Sequence, residues 1–146
     1  MIKLSIIYNT EKEEAIKIYK ELSKYLKSKK EFEILDDKNL SQAEYIVVIG
    51  GDGTLLRSFK KIKNKEVRII AINSGTLGYL TEIRKDAYKE IFENILKGKI
   101  NIEERYFFTV KIGKKKYNAL NEVFLTKDNI KRNIVSSEIY VEDKLN

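Results

Sequence analysis

Along the first hundred residues, compact apolar blocks alternate with apolar positions spaced at the period of a helix. Ile2 to Tyr8 is a block rich in β-branched residues that ends at Asn9-Thr10, which predicts a strand. Ala15, Ile16, Ile18, Tyr19, Leu22, Tyr25 and Leu26 then recur at helical spacing, and Thr10 with Glu13 supplies the residue types of a capping box ahead of them. Phe32 to Leu35 predicts a short strand. Tyr45 to Ile49 is a run of consecutive apolar residues closed by Gly50-Gly51, and an unbroken run of this kind suits a central parallel strand covered on both faces. Leu55 to Ile62 predicts a helix, Val67 to Ile72 a second buried strand, and Asp86 to Leu96 a helix stopped near Gly98. Strand and helix in alternation imply an α/β fold with an open, Rossmann-like parallel sheet.

After about residue 100 the pattern changes to consecutive strand-like segments: Tyr106 to Ile112, Lys116 to Leu120, Glu122 to Thr126 and Ile134 to Val141. Gly113-Lys114 has the composition of a hairpin turn between the first two. The expected organisation is therefore an α/β nucleotide-binding domain over residues 1–100 and the first strands of a β-rich domain over 101–146. So few residues make only a marginal sheet unless it packs on something, so the second unit is expected to be truncated and incomplete.

The composition narrows the chemistry. The 146 residues include no Cys, His, Pro or Trp. Disulfides, thiolate metal sites and cysteine nucleophiles are excluded, as are the Ser/His/Asp triad and most catalytic zinc sites. Any general base is a carboxylate, Lys or Tyr, and any metal is a hard ion held by oxygen, with Mg²⁺ first. The net charge of +7 is spread along the chain, with 20 basic and 15 acidic residues in 1–100 and 9 and 7 in 101–146. Its densest runs, Lys27 to Lys30, Lys60 to Lys65 and Lys114 to Lys116, have few aromatics among them, the composition of solvated faces and not of a nucleic-acid surface. Such a surface still favours small anionic ligands. No run reaches the roughly 18 apolar residues of a membrane span, and the expectation is a cytoplasmic protein with neither nucleic-acid nor membrane partners.

Three segments carry candidate chemistry. Gly50-Gly51-Asp52-Gly53-Thr54 lies between a buried strand and a helix, the place where open α/β sheets bind ligands. Its glycines let backbone amides approach a phosphate, and the helix start offers its positive end. Asp52 then needs a reason, because a carboxylate repels a phosphate. Two roles fit: accepting a proton from an attacking hydroxyl, or helping to hold Mg²⁺. A tight turn with Asp52 or Thr54 as helix cap is the plain alternative. The loop matches neither Walker A nor the full dinucleotide fingerprint.

Asn73-Ser74-Gly75-Thr76-Leu77-Gly78-Tyr79-Leu80 also follows a buried strand directly, so the two loops would face one crevice. Gly75 and Gly78 permit close approach, and Tyr79 offers a ring to a base or ribose; equally, Tyr79 and Leu80 suit a core and the glycines a turn. In Asn118-Ala119-Leu120-Asn121-Glu122-Val123, a buried Asn-Glu pair would need hydrogen-bond partners, while an exposed strand junction would not.

Together, in this order, these segments resemble the NAD kinase family, with the Gly-Gly-Asp-Gly-Thr loop at 50–54, a second glycine-rich loop at 75–80 and an Asn-Glu pair at 121–122. Tyr79 stands where the family often has Phe, which keeps the ring. Diacylglycerol and sphingosine kinases carry a similar first loop and are the alternative, separated by the second and third segments. The resemblance implies transfer of a phosphoryl group from ATP, or from polyphosphate, to the 2′-hydroxyl of the adenosine ribose of NAD, giving NADP. It implies Asp52 as general base with Mg²⁺ offsetting phosphate charge, and Gly50, Gly51, Gly53 and Thr54 around phosphate. Gly75 and Gly78 of the second loop would be among the ligand-binding residues and Tyr79 would line the adenine side, Asn121 and Glu122 would bind the NAD adenosine and ribose, and the chain would assemble as a homodimer or homotetramer. Family members continue through a further glycine-rich, Thr/Ser-Ala-Tyr segment, so a fragment of the β domain is expected here.

Overall fold

A computed structural model describes residues 1–62 and 67–124. The chain packs as two units, Met1–Tyr106 and Phe107–Asn146.

In the first unit four parallel strands, β1 (Ile2–Tyr8), β2 (Phe32–Ile34), β3 (Tyr45–Gly50) and β4 (Arg68–Asn73), form a sheet in the order β2-β1-β3-β4. Helix α1 (Glu13–Lys27) joins β1 to β2, α2 (Asp52–Phe59) follows β3, and α3 (Tyr88–Leu96) follows β4. Every residue of β3 is buried, because its side chains alternate between two covered faces. Tyr45, Val47 and Ile49 meet Ile18, Leu22 and Leu26 of α1 and Phe92 and Ile95 of α3 in one core; Ile46 and Val48 meet Leu55 of α2 and Ala43 in the other. The chain moves from β1 to one side, to β2, and then returns to β3 on the other. This reversal sets a crevice at the carboxyl ends of β1 and β3, where open sheets accept ligands.

The sequence-predicted elements shift at their ends for local reasons. The Thr10/Glu13 capping box does not form: Lys12 is the helix N-cap without a side-chain bond, and Asn9 Oδ1 instead accepts the Glu11 amide in a turn (3.0 Å). Helix α2 covers Asp52–Phe59 in place of 55–62, and so starts inside the glycine loop. Helix α3 begins at Tyr88, two residues late, where Asp86 pairs with Arg84 (3.0 Å) ahead of the first turn. It stops as expected, with Gly98 in the left-handed region at φ 65°.

The second unit contains an antiparallel hairpin of β5 (Phe108–Ile112) and β6 (Lys115–Ala119). Gly113-Lys114 makes the turn, with Gly113 at φ 57°. Tyr106 and Leu120, placed in strands by the pattern, lie outside them. Residues 122–124, taken from the pattern as strand, are not in one; the rest of that segment and the expected strand from Ile134 to Val141 lie outside the described residues.

Helices α1 and α3 are fastened by Glu93, which accepts from the Tyr25 hydroxyl and the Lys29 ammonium, both at 2.7 Å. Burial, and then the bond to Glu93, pushes the Tyr25 phenol up to about 12. Its native value lies above the ordinary 10.0, so its contribution is complete below pH 10 and is lost as the pH rises toward 12. Replacing Tyr25 with Phe should cost about 1 kcal/mol at neutral pH. In a titration followed by tyrosinate absorbance, the same substitution should remove one phenol ionising near 12.

Candidate functional site

The carboxyl edge of the sheet brings the first two predicted segments together. Gly50 at the end of β3 is in register with Asn73 at the end of β4, and the Ser74 amide donates to the Gly50 carbonyl (3.1 Å). Gly51, extended at φ −108°, is the N-cap of α2, and its carbonyl accepts from the amides of Thr54 and Leu55. The helix starts at Asp52, so the carboxylate sits in the first turn, where the positive helix end favours it. Asp52 is thus the first helical residue, and no side-chain hydrogen bond caps α2 from Asp52 or Thr54.

Asp52 reaches back into the second loop. Its Oδ2 accepts the Tyr79 amide (2.8 Å), and its Oδ1 accepts the Leu80 amide (3.1 Å), the Thr81 amide (3.0 Å) and the Thr81 hydroxyl (2.9 Å). Burial pushes this carboxyl up, but the Thr81 hydroxyl and the three amides outweigh it and hold it below the usual value. It is therefore ionised at neutral pH. The loop is closed behind it by Asn73, whose Nδ2 donates to Thr81 Oγ1 (2.8 Å) and whose Oδ1 accepts the Gly75 amide (2.7 Å). Past the loop, Ile83 forms a parallel bridge with Ile72, so both ends of the segment are held on the edge of β4.

The glycines divide into two kinds. A methyl on Gly78 would lie 2.7 Å from both the Asp52 carboxyl carbon and the Thr81 hydroxyl, and one on Gly50 would lie 2.8 Å from the Thr54 methyl. Both are glycines because the protein's own side chains fill the space. Gly51 has nothing within 4 Å of such a methyl; Gly53 and Gly75 have only the ends of Arg57 and Lys12, at 3.8 and 3.9 Å. Their open sides leave room for another molecule against the backbone.

Tyr79 is 76% exposed and Leu77 59%, which removes the core reading of the ring. The Arg105 guanidinium lies over Tyr79, 5.4 Å from the centroid, and also pairs with Glu82 and Glu103. Beside the loops a cleft of about 390 Å³ opens between the end of β1 at Tyr8 with Asn9, Thr10 and Glu11 beyond it, and Thr54 and Arg57 of α2 with Lys61 just past its end. Among the described residues no group of three acidic side chains converges. In the second unit, Asn121 and Glu122 are exposed positions just past β6, which fits the exposed-junction reading of that segment.

Sequence reasoning passed over Asn73 as a site residue and did not reach Thr81, although a lone Asn ending the apolar run Ile69 to Ile72 is a signal that its amide is used. Lys60 and Lys61 are exposed, as the solvated-face reading expects, and Lys61 also lines the cleft, four residues past Arg57 and just beyond α2; residues 63–65 of that run lie outside the described residues.

A parallel sheet with helices on both faces, a crevice at its strand reversal and an anionic loop at a helix start define an open α/β domain of the doubly wound class, with its candidate site at the carboxyl edge. Residues 36–100 match the ATP-NAD kinase N-terminal domain. Over 144 residues the chain is 91% identical to an NAD kinase of Fusobacterium nucleatum, an alignment covering 99% of this chain and 54% of that protein. It is 38% identical over 160 residues to a bifunctional NADP phosphatase/NAD kinase of Methanocaldococcus jannaschii, covering 99% of this chain and 28% of that one. Among solved structures, yeast NADH kinase complexed with NADH superposes with a TM-score of 0.67 at 14% identity, over 82% of this chain and 43% of that chain, a likeness of fold. The chain belongs to the NAD kinase family. It spans about half the length of the first of these relatives. The comparisons give the lipid-kinase alternative no support.

The two kinds of glycine make opposite predictions. Gly78→Ala should destabilise the fold by about 2 kcal/mol, because a methyl there displaces Asp52 or Thr81. Gly51→Ala should leave the unfolding free energy within about 1 kcal/mol of the parent while weakening the binding of any ligand seated on the loop. Denaturant unfolding of the two variants checks both.

Proposed function

We propose that this chain is part of an NAD kinase, transferring the terminal phosphoryl group of ATP, or of polyphosphate, to the 2′-hydroxyl of the adenosine ribose of NAD to give NADP. The observation that carries the reading is Asp52: an ionised carboxylate held by four hydrogen bonds at the carboxyl edge of the sheet, between glycines whose outer sides are open. Asp52 acts as general base, taking the proton of the ribose hydroxyl as that oxygen bonds to phosphorus and ADP departs. Its low basicity suits a loose phosphoryl-transfer transition state, in which the proton is needed late and catalysis comes mainly from positioning and electrostatics.

Gly51 and Gly53 present backbone to the phosphates, with Gly50 and Thr54 packed behind them. The donor's phosphates extend into the cleft at the strand reversal, toward Arg57 and Lys61. Neither of these cations makes an ion pair among the described residues. Gly75 and Gly78 shape the second loop, and Tyr79 presents its exposed ring to the adenine side. Residues 1–100 are the nucleotide-binding domain, and residues 101–146 contribute the opening strands of a β-rich domain in which Asn121 and Glu122 bind the NAD adenosine and ribose. Mg²⁺ supplies charge neutralisation when bound, carried in on the donor's phosphates. The working protein is a cytoplasmic homo-oligomer, dimer or tetramer, acting on small molecules. Among the described residues no helix is long and apolar enough to cross a membrane.

The protein incubated with NAD, ATP and Mg²⁺ should form NADP, read through an NADP-specific dehydrogenase. Asp52→Asn should lower turnover by about 10²-fold or more with NAD affinity retained. Saturable nucleotide binding with no product from the unsubstituted protein, or near-normal turnover of Asp52→Asn, would overturn the assignment. Arg57→Ala should raise the KM for the phosphoryl donor by about tenfold and leave that for NAD unchanged, since it removes one charge-assisted contact.

A further inference from the structure

The two oxygens of Asp52 are not equivalent. Oδ1 accepts three hydrogen bonds, from the Leu80 and Thr81 amides and the Thr81 hydroxyl, whereas Oδ2 accepts only the Tyr79 amide. The polarity of the network behind Oδ1 is determined from its far end. The Gly75 amide can only donate, so the Asn73 atom it meets at 2.7 Å is the oxygen and the other is the amide nitrogen. That nitrogen donates to Thr81 Oγ1 at 2.8 Å and to the Thr81 carbonyl at 3.2 Å. Having accepted a hydrogen there, the Thr81 hydroxyl has its own hydrogen for Oδ1 of Asp52, at 2.9 Å. Asn73 and Thr81 are both buried, Thr81 completely, so water does not compete for either group.

We propose that Asn73 and Thr81 are positioning residues that saturate Oδ1 of Asp52 and so present Oδ2, with its unused lone pair, to the acceptor hydroxyl. The inference rests on the reading of Asp52 as general base and adds which oxygen takes the proton and what aims it. A purely structural network would fasten the two loops equally well but would give no preference between the oxygens. The largest influences on the Asp52 ionisation are burial, the Thr81 hydroxyl and the amides of Tyr79, Leu80 and Thr81; the charged side chains against the two loops are Arg57 beside Gly53, Lys12 beside Gly75 and Arg105 over the Tyr79 ring, and none of the Thr81 variants touches them. Loss of the Thr81 hydroxyl therefore moves the Asp52 carboxyl upward.

The test uses Thr81→Val, which keeps the branched shape, Thr81→Ala, which removes the hydroxyl without setting a methyl against the carboxylate, and Thr81→Ser, which keeps the hydroxyl. In both hydroxyl-free variants Asn73 Nδ2 keeps the Thr81 carbonyl but loses its shorter bond to Oγ1, which Thr81→Ser restores. Steady-state kinetics of each are measured against pH, with Asp52→Asn alongside. Val and Ala should lower kcat by about tenfold or more, as expected for a misaimed group, with KM for NAD within about twofold. The acidic limb of kcat should move to higher pH in both, and Ser should restore kcat and limb. If kcat and limb in Ala and Val stay at the parent values, or if Ser is impaired as much as Ala, the relay is wrong and Thr81 serves packing alone. Active Asp52→Asn would instead sink the base itself, an outcome distinct from an inactive Asp52→Asn beside a normal Thr81→Ala.

Discussion

The Asp52 carboxylate joins two loops that the sheet alone would leave only loosely associated. Parallel pairing of β3 and β4 brings Gly50 and Asn73 side by side, but the loop after Asn73 has few apolar anchors, with Leu77 and Tyr79 turned outward. Four hydrogen bonds to one anion supply the missing order. Bonds to a charged acceptor are stronger than those between neutral groups, and here they converge next to a helix start that favours the same charge. A neutral side chain at position 52 would leave three backbone amides competing for weaker partners.

That fastening explains much of the surrounding sequence. Gly78 is small because Asp52 occupies the place of its side chain, and Gly50 is small because Thr54 leans over it. Thr81 and Asn73 are polar within buried surroundings because their hydrogen bonds run in a chain that ends on the carboxylate. Gly51, Gly53 and Gly75 stand apart, since nothing in the protein claims the space beside them. One anchored face and one open face on the same loops suit the proposed phosphate-handling role, with a rigid network behind and open backbone in front.

Hydrophobic pattern was enough to read the α/β order, the buried character of β3 and the stop of α3 at Gly98. These features follow from burial and from backbone conformation within a few residues. The Gly-Gly-Asp-Gly-Thr loop was legible as a candidate site because it stands between a buried strand and a helix, at the carboxyl edge of the sheet. The start of α1 was misread, because Asn9 turns the chain with its own side chain and leaves Thr10 without the capping role. The start of α3 was set too early, because Asp86 pairs with Arg84 ahead of the helix.

Local sequence thus determined which segments become strands and helices and which loops follow the buried strands, because strand periodicity and glycine freedom are properties of neighbours along the chain. Tertiary structure alone decided which oxygen of Asp52 is saturated, which glycines are claimed by the protein and which are open, and that Arg57 and Lys61 share a cleft with the end of β1. The Asp52 contacts join residues 27 or more apart, with Tyr79 and Thr81, and no spacing along the chain encodes a distance of that kind; Gly50 meets Thr54 four residues on because α2 begins inside the loop.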